Sequence, residues 1–562
     1  MSNPHQMNVF WKVFPALAGG WLLAGCTTSK PLPPKPETPP PAQSATELKR
    51  RVEAHARYAD ALIHEMNDEP VAAADDYYQA ALLDPGDEDL ATQAGEELWE
   101  HGHPEKAIEV LSRAGAYPGA SGALFARLGF FEAQTGKPDA AIAANRQAVR
   151  RSPELVAGWQ NLSLELLRKK QTAAALGVLQ QAVAQTNTGA DFQLVIAEVL
   201  VGLSRENPDR KTEADALALQ ALARADQLNP RDTEARLRLA DGMNLLGKTG
   251  RAAEIYSQLL NQTDGQPELQ QNLRNRLTDL YLKTGDQARA MEQLQAILRD
   301  DPANPAANFE LGELAYDQDR LEMAADFFHK TLLLRPDFEQ AYYDLAQTQL
   351  AMDQPDEALA TLAEARKKYP DRYSSELLCA LADARLKSFD AAIAHFTTAE
   401  ILAKSGEPDR LNEQFYYEVG ATYEAKGDIA QAEKYLQKSL ALAPDFADAQ
   451  NYLGYMWADR GTNLVEARRL IEMAVKTAPN NPAYLDSLAW VLFKLKQPDK
   501  ALPPMLKAIG LNGRPDPLML DHLGEIYLAL GRRADARDAW QRSLAAEPSE
   551  AVRKKLDSTP VP

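Results

Sequence analysis

Between Phe415 and Pro548 one order of large apolar, small and polar positions returns every 34 or 35 residues. Tyr416-Tyr417-Glu418-Val419-Gly420-Ala421-Thr422-Tyr423 is followed by Gly427 and Ala432. Gln450-Asn451-Tyr452-Leu453-Gly454-Tyr455 is followed by Gly461 and Ala467, and Leu520-Asp521-His522-Leu523-Gly524-Glu525-Ile526-Tyr527 by Gly531 and Ala536. Pro444, Pro479 and Pro548 close the three units. The spacing predicts two antiparallel helices per unit, too small to bury their apolar face except by stacking on a neighbour. Gly420, Gly454 and Gly524 fall where the two helices cross, and Ala432, Ala467 and Ala536 are the matching small residues on the second helix. Leu453 and Leu523 fill the space between helices. Gly427, Gly461 and Gly531 supply the tight turn, and the closing proline ends the ladder of helical hydrogen bonds.

Reading back from each closing proline extends the pattern to 51–85, 88–118, 122–153, 156–187, 190–230, 233–263, 271–302, 305–336, 339–370, 373–402, 413–444, 447–479, 482–515 and 517–548. The crossing positions pair Gly95 with Ala107, Gly129 with Ala141, Ser163 with Ala175, Ala240 with Ala252, Gly312 with Ala324, and Ala346 with Ala358. Phe125, Trp159 and Tyr342 take the first aromatic position. The fifth unit carries an insertion around Asn207-Pro208-Asp209, and residues 403–412 form a second polar insertion. Both are expected as loops between helices. Residues 549–562 read as a short capping helix with a tail. No alternating apolar–polar run predicts a strand, so the expected class is all-α.

An aromatic or large residue, Leu-Gly three on, Tyr three later, then Ala and a terminal Pro resembles the tetratricopeptide repeat, over almost all of residues 51–548. The resemblance implies a right-handed superhelical solenoid of about 14 helix-turn-helix repeats. It also implies a concave groove lined by the first helix of each repeat, in which a protein or peptide partner binds. In that register the partner-binding residues are Phe309, Tyr316, Tyr343, Tyr417, Asp448, Asn451, Tyr455, Asp459, Asp486, Trp490, Phe493, Asp521 and Glu525, with Glu313, Asp317 and Glu424 among them. Aromatic side chains supply contact area at low entropic cost, and the acids favour basic or amine-bearing segments. The family's carboxylate clamp uses Lys, Arg and Asn, and this acidic groove departs from it. Residues 447–548 further resemble the end of large bacterial tetratricopeptide lipoproteins, through Asn451 to Gly461, Ala483 to Trp490 and Asp521 to Gly524.

Composition narrows the partners. The formal charge is −19, and removal of residues 1–25, which hold only Lys12, leaves 60 basic against 80 acidic residues, or −20. Nucleic acid is excluded as a partner, since its binding rests on Lys and Arg neutralising phosphates. Two cysteines, Cys26 and Cys379, provide no disulfide framework. Cys379 sits at a core position and is expected as a buried thiol.

Residues 1–25 read as a signal peptide. Val13 to Gly25 is apolar, too short to span a bilayer comfortably, and ends in Leu23-Ala24-Gly25-Cys26. That ending resembles the bacterial lipobox and implies lipid attachment at Cys26, with Thr27 favouring an outer-membrane anchor facing the periplasm. Seven prolines between Pro31 and Pro41 make residues 26–47 an extended linker.

Two motifs tempt a chemical reading. Gly242-Met243-Asn244-Leu245-Leu246-Gly247-Lys248-Thr249 spells a phosphate-binding loop, yet it falls on a first helix and its turn, where a buried strand is required. His101-Gly102-His103, with Glu97 and Glu100, reads as a solvated turn without a remote ligand set. No metal, cofactor or catalytic group is expected. The functional expectation is a membrane-anchored scaffold for envelope assembly, secretion or polysaccharide export, or else an adaptor that recruits and regulates an envelope enzyme such as a cell-wall hydrolase.

Overall fold

A computed structural model describes residues 45–560. The signal segment, Cys26 and linker residues 26–44 lie outside the described residues, as do Val561 and Pro562. Among the described residues the regular structure is helical throughout: 29 α-helices, read as fourteen consecutive pairs and a last helix Glu550–Asp557. They divide into two compact units, one ending at Pro230 and one starting at Arg231. No described helix is long and apolar enough to cross a membrane.

Within each unit, neighbouring helices pack as hairpins and each hairpin packs on the next. The pairing follows from the small residues at the crossings. A Cβ on Gly454 would lie 2.6 Å from Ile471 Cγ1 and 2.9 Å from the Ala467 carbonyl oxygen. Its partner Ala467, like Ala107, Ala141, Ala175, Ala252, Ala324, Ala358, Ala432 and Ala536, is fully buried. Local signals set the ends. Asn412 accepts the Phe415 amide at the start of Glu413–Lys426, and Gly427 closes that helix in the left-handed region at φ 91°. Asp428 then accepts the Gln431 amide and starts Ile429–Leu442. Cys379 is a buried free thiol, its pKa pushed up to about 11, chiefly by burial.

The insertions form connections between helices only in part. Residues 403–406 continue the helix Phe389–Gly406, because Ala399 and Ala403 prolong the buried stripe begun by Ala392 and Phe396. Residues 407–412 leave it and connect to the next helix, with a 3-10 turn at Pro408–Arg410. In the fifth unit the extra residues lengthen both helices, Ala190–Glu206 and Lys211–Gln227, around a second 3-10 turn at Pro208–Arg210.

Candidate functional site

The second unit holds an acidic cleft of about 300 Å³. Glu310, Glu313 and Asp317 of the helix Pro305–Asp317 face Asp344 of the helix Glu339–Ala351, over an apolar lining of Leu282, Leu314 and Phe328. No lysine or arginine lines it. Burial, then the Asp279 charge, raises Glu310 to about 7. Burial, then Asp344, Glu310 and Asp317, raises Glu313 to about 7. Asp344 is raised to about 6 by burial, against one hydrogen bond at 2.9 Å from Gln340 Nε2. Its other oxygen is buried and accepts no hydrogen bond. Four carboxylates gathered along one open cleft with no cation among its lining residues repel one another, and a positive group entering the cleft relieves that repulsion.

Three expected binding residues border this region. Tyr316 lines the cleft and accepts Gln347 Nε2 at 3.0 Å. Phe309 packs on Phe338 and Phe328, with ring centroids 4.5 and 5.6 Å away. Tyr343 is buried and donates to Glu339 at 2.9 Å. Glu310 and Asp344 escaped the sequence reading. Their signal was available: both stand two residues before the small crossing residue of their repeats, Gly312 and Ala346.

The remaining expected residues form a ladder between successive repeats. Tyr484 donates its hydroxyl to Asp448 at 2.5 Å, and Trp490 Nε1 donates to Asp459 at 3.2 Å. Asp486 meets His522 Nδ1 at 2.9 Å, both buried. The His522 ring stacks on Trp490 at 3.8 Å, Phe493 also stacks on Trp490 at 5.1 Å, and Tyr455 is tilted 6.3 Å from His522. Asp521 and Glu525 together hold Lys555 of the last helix, at 2.9 and 2.8 Å, and Asp521 also takes Trp540 Nε1. Tyr417 packs edge-on against Phe446 and Tyr452, and Asn451 keeps a buried oxygen without a partner. Aspartates placed in a partner groove by the register thus have partners within the chain already. His522 was not foreseen, because its partner lies 36 residues away.

In the first unit, the turn His101-Gly102-His103 gains the remote group absent from the sequence reading. Glu65, Glu97 and His101 converge, each offering a ligand atom within 4.8 Å of the others. The phosphate-loop look-alike is an interhelical turn: Met243 is buried in the helix Thr233–Leu245, Leu246 caps that helix, and Gly247 turns at φ 79°.

Tetratricopeptide-repeat family profiles match residues 92–156, 276–337 and 420–482, and residues 315–381. A TPR repeat-containing protein of Pseudomonas aeruginosa is 35% identical over 225 residues, 39% of this chain and 36% of that protein. The anaphase-promoting complex subunit CDC16 of Saccharomyces cerevisiae is 24% identical over 201 residues, 34% of this chain and 23% of that one. The matches thus span little more than a third of these relatives' length at most. Among solved structures, the APC/C hetero-tetramer Cut9–Hcn1 aligns over 92% of this chain and 97% of its own at 16% identity and a TM-score of 0.39. The profiles, the helix pairs and their small crossing residues agree: the chain carries tetratricopeptide repeats, and within each unit its helix pairs stack as an all-α solenoid.

Proposed function

We propose that this protein is a binding scaffold that receives lysine or arginine side chains of a protein partner in the acidic cleft of its second unit. Tetratricopeptide repeats supply protein-binding surface, and the observation carrying the finer reading is the cleft: four carboxylates and no cation. A guanidinium or ammonium placed there forms charge-assisted hydrogen bonds with carboxylates and removes their mutual repulsion. The chain supplies its own precedent where Asp521 and Glu525 grip Lys555. The Leu23-Ala24-Gly25-Cys26 sequence supports a setting at a membrane of the cell envelope, with Cys26 acylated.

Titration of the full-length chain with a lysine- and arginine-rich peptide tests the cleft. Glu310→Gln with Asp344→Asn is expected to weaken binding at least ~10-fold, by loss of two charge-assisted partners. Binding unchanged in that double variant would refute the assignment. The anchor is tested separately: Cys26→Ser should move the protein from the membrane fraction to the soluble fraction.

A further inference from the structure

We propose that Glu65, Glu97 and His101 form a binding site for one first-row divalent transition-metal ion. The donors come from two parts of the first unit. Glu65 lies at the end of the helix Ala45–Met66, Glu97 is in the last turn of the third helix, Glu88–Glu100, and His101 caps that same helix. Their ligand atoms already lie within 4.8 Å of one another. Ligands about 2.0–2.2 Å from a common ion stand roughly 3–4 Å apart.

Two neighbours orient the donors. The buried Tyr77 donates its hydroxyl to Glu65 Oε2 at 2.7 Å, fixing one carboxylate oxygen and leaving the other to the site. His101 Nδ1 lies 2.8 Å from the Glu97 carbonyl oxygen. A carbonyl only accepts, so Nδ1, which also lies 3.9 Å from Glu97 Oε2, carries the proton, and the lone pair available to an ion is that of Nε2. Metal-bound histidines are held in this way, with the second ring nitrogen on a carbonyl or carboxylate. Among the described residues no lysine or arginine pairs with Glu65 or Glu97, so the two carboxylates keep their capacity for a cation.

The donor set selects the ion. One imidazole with two carboxylates suits zinc, manganese, cobalt or nickel, whereas calcium and magnesium take oxygen ligands only. Three protein ligands leave a position for water. The ion would join the first helix to the third. That first helix buries only Ala54 and Ala61, so a metal bridge to Glu97 and His101 would fix its last turns.

Zinc alone is titrated into the full-length chain, its Glu65→Gln and His101→Gln variants, and His103→Gln as a control. The wild type and His103→Gln are expected to take up one ion that both site variants bind at least ~10-fold more weakly. Zinc should also slow amide exchange in the last turns of Ala45–Met66 in the wild type alone. Equal zinc affinity in all four proteins would overturn the proposal, as would calcium binding as tightly as zinc. Should His101→Gln fail to fold, Glu65→Gln carries the same readout, because Glu65 is exposed.

Discussion

Two stretches of the second unit carry carboxylates on the first helices of their repeats, and they handle the charge in opposite ways. From Asp448 to Glu525, acids meet a donor from an adjacent helix or the next repeat: Tyr484, Trp490, His522, Trp540 or Lys555. Between Glu310 and Asp344 the four acids of the cleft meet each other, whereas Glu339 is held by Arg372 and Tyr343; burial without a cation lifts Glu310 and Glu313 to about 7 and Asp344 to about 6. The repeat motif is the same in both stretches. The difference shows that an acid on this face becomes part of the stack when the next repeat offers a donor, and part of a binding site when it does not.

That contrast makes ladder substitutions costly to stability and cleft substitutions neutral or favourable. The largest effect is expected from Trp490→Ala. It removes a buried indole stacked on His522 and Phe493 and should cost ~3–5 kcal/mol in denaturant unfolding. Asp486→Ala leaves His522 buried without its partner at 2.9 Å. It should cost ~1–3 kcal/mol, about the desolvation of one unsatisfied polar group. Either variant unfolding like the wild type would break the claim that this stretch is structural.

The smallest effect has the opposite sign. Raised carboxyls bind more protons in the folded than in the unfolded chain between about pH 4 and 7, so stability falls as pH rises through that window. At about pH 8 the ionised Glu310 is a burden, and Glu310→Gln should stabilise the second unit by on the order of 1 kcal/mol, discounted for solvent screening. At about pH 4 the wild type and variant should unfold together. A variant less stable at the higher pH would place a cation near Glu310 and dissolve the contrast.

The helix pairs were legible because packing forces a small residue at each crossing, and pairs such as Gly312 with Ala324 or Gly454 with Ala467 recur along the chain. The start of the insertion at 403–412 was misread because its polarity masked Ala399 and Ala403, which keep the helix packed as far as Gly406. The cleft was half legible. Tyr316 and the neighbouring Glu313 and Asp317 were in the expected groove, but Glu310 and Asp344 sit one residue beyond the conspicuous Phe309 and Tyr343. One residue rotates a helix by about 100°, enough to exchange a packed aromatic for a carboxylate in the cleft. Glu65 was invisible for another reason: it belongs to a different repeat from Glu97 and His101, and only folding brings them together.

Calorimetric titration of the wild type and Glu310→Gln with a lysine- and arginine-rich peptide, at about pH 6.5 in buffers of different ionisation enthalpy, reads protons exchanged on binding. A cation entering the cleft favours ionised carboxylates, so the wild type should release protons as the peptide binds and Glu310→Gln should release fewer. Peptide binding without proton release, or with the same release from both proteins, would contradict the assignment of the cleft as the cation-binding site.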